Sequence, residues 1–143
     1  MSLVSPYILA LVIAWLLAHV VKYAIALSKG KQLDLTHQLF ISGGMPSSHA
    51  ATSIAVWTVI LLKDGIQSGL FGLATLVVLV ICYDAVKVRR SSGEQGEAIQ
   101  QLIKEQNSKV VLPRAAKGHT PVEVVAGSVL GVIIGLVVFL ATI

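Results

Sequence analysis

Two short stretches of the 143-residue sequence combine side chains suited to acid–base chemistry on an anion. The first is Ser-Gly-Gly-Met-Pro-Ser-Ser-His-Ala, which runs from Ser42 to Ala50. Glycine lets a backbone approach a ligand closely, proline favours the beginning of a helix, and the first N–H groups of a helix attract anions. His49 could then give an anion a proton or a hydrogen bond. A helix cap at Ser47 or Ser48 with an interfacial histidine explains the same spacing equally well.

The second stretch is His119-Thr-Pro-Val-Glu123, directly before the last apolar segment. Thr120 fits a helix N-cap, Pro121 the first helical position, and Glu123 the third position of a capping box. This helix-start chemistry does not account for His119. A histidine and a carboxylate four residues apart can face the same side, so Glu123 could bond one imidazole nitrogen and leave the other free.

The composition indicates that membrane helices position these residues. Of the chain, 55% is hydrophobic and only 13% charged, and the mean hydropathy is +0.84, which excludes a soluble domain of average composition. We predict an all-α integral membrane protein, a single membrane domain with four transmembrane helices. The expected spans are about 7–27, 47–62, 69–86 and 124–143, of which the second is short.

The hydrophilic stretch between the third and fourth spans predicts a short amphipathic helix. Ser92 and Gln95 read as a capping box at its start, and the apolar residues that follow recur on one helix face. We expect this helix to lie at the membrane surface. The two segments 28–46 and 87–120 are then the loops that carry the site.

Two charged residues fall inside predicted spans. Lys22 lies within about two turns of the end of the first helix, so it either snorkels to the headgroups or points into the bundle. Asp84 near the end of the third helix is costly unless it is paired, and Arg89 and Arg90 follow it closely. Cys82, the single cysteine, is interpreted as a small apolar residue.

Three glycines recur every four residues in the last helix, at Gly127, Gly131 and Gly135. Such a stripe lets another helix approach closely. The partner is either a helix of the same chain or a second copy, so self-association through these glycines is one expectation.

With four spans, both histidine stretches lie on one face of the membrane. That face carries nine of the eleven Lys and Arg residues, namely Lys29, Lys31, Lys87, Arg89, Arg90, Lys104, Lys109, Arg114 and Lys117. Two histidines at helix starts, surrounded by cations at a membrane surface, predict a site for the phosphate of a lipid headgroup. One imidazole could attack phosphorus while the other protonates the departing oxygen.

These motifs resemble those of the type 2 phosphatidic acid phosphatase and vanadium haloperoxidase superfamily. Pro-Ser-Ser-His, ending at His49, resembles its PSGH motif, and Arg114-x4-His119-x3-Glu123 resembles its SR-x5-H-x3-D motif. The strings SGGMPSSH, DAxxVRR and GHTPxEV resemble a divergent branch of small membrane proteins more closely. Ser48 replaces the glycine and Glu123 the aspartate of these motifs, and Arg114 is one residue closer to the histidine than usual. The family's K-x6-RP motif is absent, and Lys22-x6-Lys29-Gly30 resembles it only loosely.

The resemblance implies a metal-independent phosphoric ester hydrolase without a cofactor. His119 would be the nucleophile that forms a phosphohistidine, Glu123 would orient it, and His49 would be the general acid. The residues implied or suggested to hold the phosphate are Lys22, Ser47, Ser48, Arg89, Arg90 and Arg114.

We therefore expect a lipid phosphate phosphatase of the plasma membrane whose site faces the cytoplasm and whose substrate resembles phosphatidylglycerophosphate. A prenyl (pyro)phosphate phosphatase and a non-catalytic protein that binds anionic lipid are the alternatives. A metal-assisted hydrolase is a further one, with His49, His119, Glu123 and Asp84 as ligands. No nucleic-acid partner is expected.

Overall fold

The computed structural model describes residues 4–28, 44–113 and 118–143, and all of its regular structure is helical. Arg114 and most of the loop 28–46 lie outside these residues. The helices are α1 (Pro6–Ser28), α2 (Ser48–Asp64), α3 (Gly69–Tyr83), a π-helical segment (Asp84–Val88), α4 (Arg89–Glu105) and α5 (Pro121–Ala141).

Within the described residues, three helical stretches are long and apolar enough to cross a membrane. They are α1, the continuous stretch Gly69–Glu105, and α5. The predicted second span corresponds to α2, which has 17 residues and is therefore about 26 Å long. That length falls short of a hydrocarbon core of about 30 Å, so α2 is not established as a fourth transmembrane helix.

Helix α2 lies at the centre of the bundle and packs against α1, α3 and α5. Its inner side carries small residues, among them Ala51 and Ala55, which are fully buried. Neighbouring helices cover much of α2, and this explains why its sequence is less apolar than that of the outer helices. The core between α1, α2 and α5 consists of Ala10, Ala14, Ala55, Val59, Ile134 and Val138.

The glycine stripe of α5 packs against α2 of the same chain. A Cβ atom at Gly127 would overlap the carbonyl oxygen of Ser47, and one at Gly131 would overlap the carbonyl of Ala51. A Cβ atom at Gly135 would likewise overlap the side chain of Thr58. These glycines are thus used within one chain, and self-association remains a prediction that would need another surface.

The helix that contains the third predicted span does not end at residue 86. Helix α3 continues through the π-helical segment into α4, which makes one helical stretch of 37 residues. The capping box predicted at Ser92 and Gln95 is wrong, because both residues lie inside α4, where Gln95 Nε2 donates to Ser91 Oγ at 3.2 Å. The predicted amphipathic helix exists, but it is an extension of α3, and its expected place at the membrane surface remains a prediction.

Polar contacts at one end of the bundle tie the helices together. Tyr7, at the start of α1, donates from its hydroxyl to Asp64 Oδ2 at 2.7 Å, and Lys63 Nζ donates to the carbonyl of Thr142 at 2.8 Å. The opposite end of the bundle therefore contains the end of α1, the starts of α2 and α5, and the end of α3. His49 and His119 both lie there, as the sequence predicted.

Candidate functional site

A cavity of about 140 Å³ lies where α2 and α5 begin and α3 passes into the π-helical segment. Its lining residues are His49, Val80, Ile81, Asp84, Ala85, Arg89 and His119. The two histidines that the sequence singled out thus line one cavity, together with one cation and one carboxylate. Val80, Ile81 and Ala85 were not expected there, since apolar residues of a span carry no distinguishing signal in a single sequence.

The backbone around His119 is fixed against the π-helical segment. The His119 N–H donates to the carbonyl of Ala85 at 3.1 Å. In this segment the Arg89 N–H donates to the carbonyl of Asp84, five residues earlier, instead of to the residue four positions earlier as in an α-helix. Such π-helical segments occur often at functional sites. Gly118 makes this approach possible, because a Cβ there would overlap the backbone of Arg89 and Arg90.

One carboxylate oxygen both caps α5 and holds His119. Glu123 Oε2 accepts from the Thr120 N–H at 2.9 Å and lies 3.2 Å from Nδ1 of His119, while Thr120 Oγ1 accepts from the Glu123 N–H at 3.3 Å. The capping box predicted from the sequence is present. A carboxylate can only accept, so this contact places the proton on Nδ1 and leaves Nε2 with its lone pair. Capping and contact with the histidine are therefore compatible.

The surroundings of His119 favour the neutral ring. The side chain is 4% exposed, and this burial lowers the pKa of His119. The hydrogen bond and the charge of Glu123 oppose the shift in pKa, and the charges of Lys22 and Arg89 add to it. A neutral imidazole with a free Nε2 is the form in which histidine acts as a nucleophile or base.

His49 is the second residue of α2 and is exposed to the cavity. The preceding Ser47 is fully buried and caps the helix, accepting from the Ala50 N–H at 3.4 Å. The helix thus begins one residue after the cap, and Pro46 precedes the cap instead of occupying the first turn. The Ser47 N–H also donates to the carbonyl of Glu123 at 3.0 Å, which joins the two histidine-bearing helix starts.

The serines of this motif have mainly structural contacts. Ser47 serves the cap and the joint with α5, and the carbonyl of Ser48 accepts from the hydroxyl of Thr52 at 2.9 Å. Neither serine lines the cavity. The backbone N–H groups of Ser48 and His49 belong to the first turn, where a helix supplies no carbonyl partner, and they remain candidates for binding an anion.

The predicted cations take different positions. Arg89 lines the cavity, and its Nε donates to Asp84 Oδ2 at 2.5 Å, which is the ion pair that the sequence predicted for Asp84. Arg90 instead pairs with Glu94 at 3.1 Å on an exposed side of α4 and does not line the cavity.

Lys22 points into the bundle and does not snorkel outward. Its side chain is 9% exposed, and its methylene groups face Gly44, which has a φ of +84°. Lys22 continues the row of buried alanines Ala10, Ala14 and Ala18 at a spacing of four residues. Alanines at this spacing before Lys22 are a sequence signal that could have indicated an inward lysine, although the prediction from sequence did not rest on it.

The four candidate metal ligands are not arranged as a metal site. Among the described residues, which include all four of them, no three His, Cys, Asp or Glu side chains are placed to hold one ion. Asp84 is occupied by Arg89, and Glu123 by the helix cap and His119. The arrangement is that of two histidines lining one cavity, of which His119 is hydrogen-bonded to Glu123.

Comparison with known proteins agrees with the motifs. A family profile described as "Divergent PAP2 family" matches residues 3–134, so the chain belongs to that family. It is also similar to the "Uncharacterized membrane protein YuiD" of Bacillus subtilis (strain 168), with 33% identity over 139 residues and 87% of each chain covered. No solved structure matches.

Proposed function

We propose that this member of the divergent PAP2 family is a membrane phosphatase that hydrolyses a lipid phosphomonoester through a phosphohistidine. The observation that carries the proposal is the buried His119, held by Glu123 at Nδ1, across the same cavity as His49. The relative in Bacillus subtilis is named only as a membrane protein, so the proposed chemistry rests on the site and on the family.

In the first step, Nε2 of His119 attacks phosphorus and the bond from phosphorus to the lipid oxygen breaks. The departing oxygen takes a proton from His49, and the phosphoryl group stays on His119. Water then attacks the phosphohistidine, His49 takes a proton from that water, and inorganic phosphate leaves with both histidines restored. The positive charge that develops on His119 during attack is stabilised by the Glu123 carboxylate.

The negative phosphate needs positive charge and N–H donors beside the histidines. Arg89 can offer guanidinium N–H groups besides the Nε that binds Asp84, and the charge of Lys22 acts on His119. The N–H groups at the start of α2 are further donors. Arg114, which the family motif implicates, is the additional proposed ligand. Arg90 and the Ser47 hydroxyl are weaker candidates because other contacts occupy them, and the Ser48 hydroxyl is weaker because Ser48 does not line the cavity.

The proposed substrate follows from the side of the membrane that the site faces. Lys and Arg residues in short loops are retained on the cytoplasmic side, and nine of eleven lie in the segments at the site end. A cytoplasmic site of the plasma membrane meets lipid phosphates as they are synthesised. We therefore favour a phosphatidylglycerophosphate-like lipid over a prenyl (pyro)phosphate recycled on the outer leaflet.

Release of phosphate from a panel of lipid phosphates by the purified protein tests this function. We expect the glycerolipid monophosphates to be hydrolysed, orthovanadate to inhibit, EDTA to leave the rate unchanged, and His119→Ala to abolish turnover. If the protein binds vesicles of anionic lipid but releases no phosphate from any lipid in the panel, the proposal is wrong and the non-catalytic alternative is supported. A rate that EDTA abolishes and divalent metal restores would favour a metal-assisted hydrolase.

A further inference from the structure

A second cavity, of about 350 Å³, lies between α1, α2 and α3 and opens to the outside of the bundle. We call it the chain groove. It is lined by Leu11 of α1, by Thr52, Ser53, Val56 and Trp57 of α2, and by Leu70, Leu73, Ala74, Val77, Val78 and Ile81 of α3. Neither the sequence motifs nor the proposed reaction assigns it a role.

The chain groove adjoins the candidate active site. Ile81 lines both cavities. On α2 the groove residues follow His49 at spacings of three, four, seven and eight, which is one helix face. On α3 the groove face runs from Leu70 to Ile81 and continues to Asp84 in the site. The chain groove and the site are therefore neighbours along the same faces of α2 and α3.

The polar groups in this groove are turned to the protein. The hydroxyl of Thr52 donates to the Ser48 carbonyl at 2.9 Å, and that of Ser53 donates to the His49 carbonyl at 2.8 Å. Trp57 Nε1 donates to Thr75 Oγ1 at 2.8 Å. Because these bonds satisfy the donors within the bundle, the groove presents hydrocarbon to its occupant.

The dimensions suit one hydrocarbon chain. Leu70 and Ile81 are eleven positions apart on a helix, which corresponds to about 16 Å. Half of a bilayer core of about 30 Å is about 15 Å, the depth of a single leaflet. A groove of this length beside a headgroup site is comparable with the reach of one hydrocarbon chain.

We propose that the chain groove holds one acyl chain of the substrate lipid while its phosphate lies between His49 and His119. The inference rests on the proposed function for the identity of the headgroup. It makes the substrate a membrane lipid that reaches the site sideways from its leaflet. Short-chain and water-soluble phosphate esters would bind only through the phosphate and would be poorer substrates.

Fluorescence of Trp57 reports occupancy without relying on turnover. The chain has two tryptophans, so Trp15→Phe leaves Trp57 as the single emitter. This variant, with His119→Ala added so that the probe is not hydrolysed, is reconstituted in unlabelled phosphatidylcholine with a small fraction of phosphatidic acid brominated in mid-chain. We expect quenching severalfold stronger than with the same fraction of phosphatidylcholine carrying the same brominated chains. Unlabelled phosphatidic acid should reverse it.

A groove-filling variant and a matched control complete the test. Ala74→Phe should remove the selective quenching and lower kcat/KM for long-chain lipid at least tenfold, with little change for a water-soluble phosphate ester. Leu79→Phe, on the outward face of α3, should change neither. Equal quenching by the two brominated lipids overturns the inference. Selective quenching without phosphate release from any lipid would support the acyl-chain groove and refute the phosphatase. Phosphate release without selective quenching would support the phosphatase and refute the acyl-chain groove.

Discussion

At the scale of single residues, the contact between His119 and Glu123 combines stability and chemistry in one carboxylate. The sequence could place both residues on one side of a helix start, but it could not decide between cap and orienting group. The structure gives Oε2 both contacts. The direction of Lys22 was ambiguous for a related reason, because it depends on which face of α1 packs against the bundle. The structure shows that this face is the row of buried alanines.

The Glu123→Gln variant separates the two functions of this carboxylate. Glutamine can also complete a capping box, so we expect the melting temperature to change little. It cannot stabilise a cationic imidazole in the same way, so kcat/KM should fall by about 10²–10⁴-fold. Glu97→Gln, at an exposed position of α4, is the matched control and should leave both quantities unchanged. A Glu123→Gln rate within a fewfold of the parent would show that the residue only caps.

The protonation of His119 gives a second prediction at this scale. Burial lowers the pKa of His119, so its ring should stay neutral at pH values where an ordinary histidine is protonated, and it should gain a proton only as the pH falls through the lowered pKa. Ring ¹⁵N shifts of histidine-labelled protein measure this titration, and His119→Ala identifies the signal. Glu123→Gln should lower the midpoint further, since it removes a carboxylate that raises the pKa. A midpoint at or above the ordinary histidine value contradicts the described burial.

At the scale of helices, small residues decide which surfaces meet. Helix α2 was the hardest to interpret from sequence, because it is short and its apolar content reflects contact with protein instead of lipid. The long helix from α3 to α4 was divided in error, because Ser92 and Gln95 fit a cap and a single sequence does not reveal that backbone continues through a π-helical segment. The capping box of α5 and the bounds of α1 were predictable, since local chemistry and length determine them.

Two glycine variants test the packing of α5 on α2. Gly131→Ala places a methyl group against the Ala51 carbonyl and the Ile54 side chain, and we expect a loss of about 1–3 kcal/mol in the free energy of unfolding. Gly72→Ala in α3 meets nothing within 4 Å and should be neutral or stabilising by up to about 1 kcal/mol. Denaturant unfolding in detergent measures both. Equal effects of the two substitutions on the free energy of unfolding would mean that α5 does not pack on α2 through its glycines.

At the scale of the whole molecule, His49 and His119 lie at one end of the bundle, and nine of the eleven Lys and Arg residues belong to the sequence segments 28–46 and 87–120 that adjoin these histidines. Counting four spans along the sequence had predicted that the two histidines lie at the same end. Four of the nine Lys and Arg residues, Arg89, Arg90, Arg114 and Lys117, could be basic in order to bind phosphate. Without them, five basic residues still belong to the loops on the site side and one, Lys63, to the loop on the other side. The site end should therefore face the cytoplasm.

Cysteine labelling in intact cells measures this orientation. In a Cys82→Ala background, Ser91→Cys should resist an impermeant maleimide, and Ser2→Cys should react with it. Labelling after permeabilisation is the control that both cysteines are reactive. The reverse pattern would turn the site outward and make a recycled prenyl carrier the better substrate.

The central claim is that His119 carries the phosphoryl group during turnover. Rapid mixing of the purified protein with a lipid monophosphate labelled in its phosphate, followed by an alkaline quench and peptide mapping, measures this directly. We expect label on His119, absent from His119→Ala and longer-lived in His49→Ala, because the acid and base of the cycle is missing there. Label on any other residue, or turnover with no labelled protein on the timescale of the reaction, would contradict the mechanism.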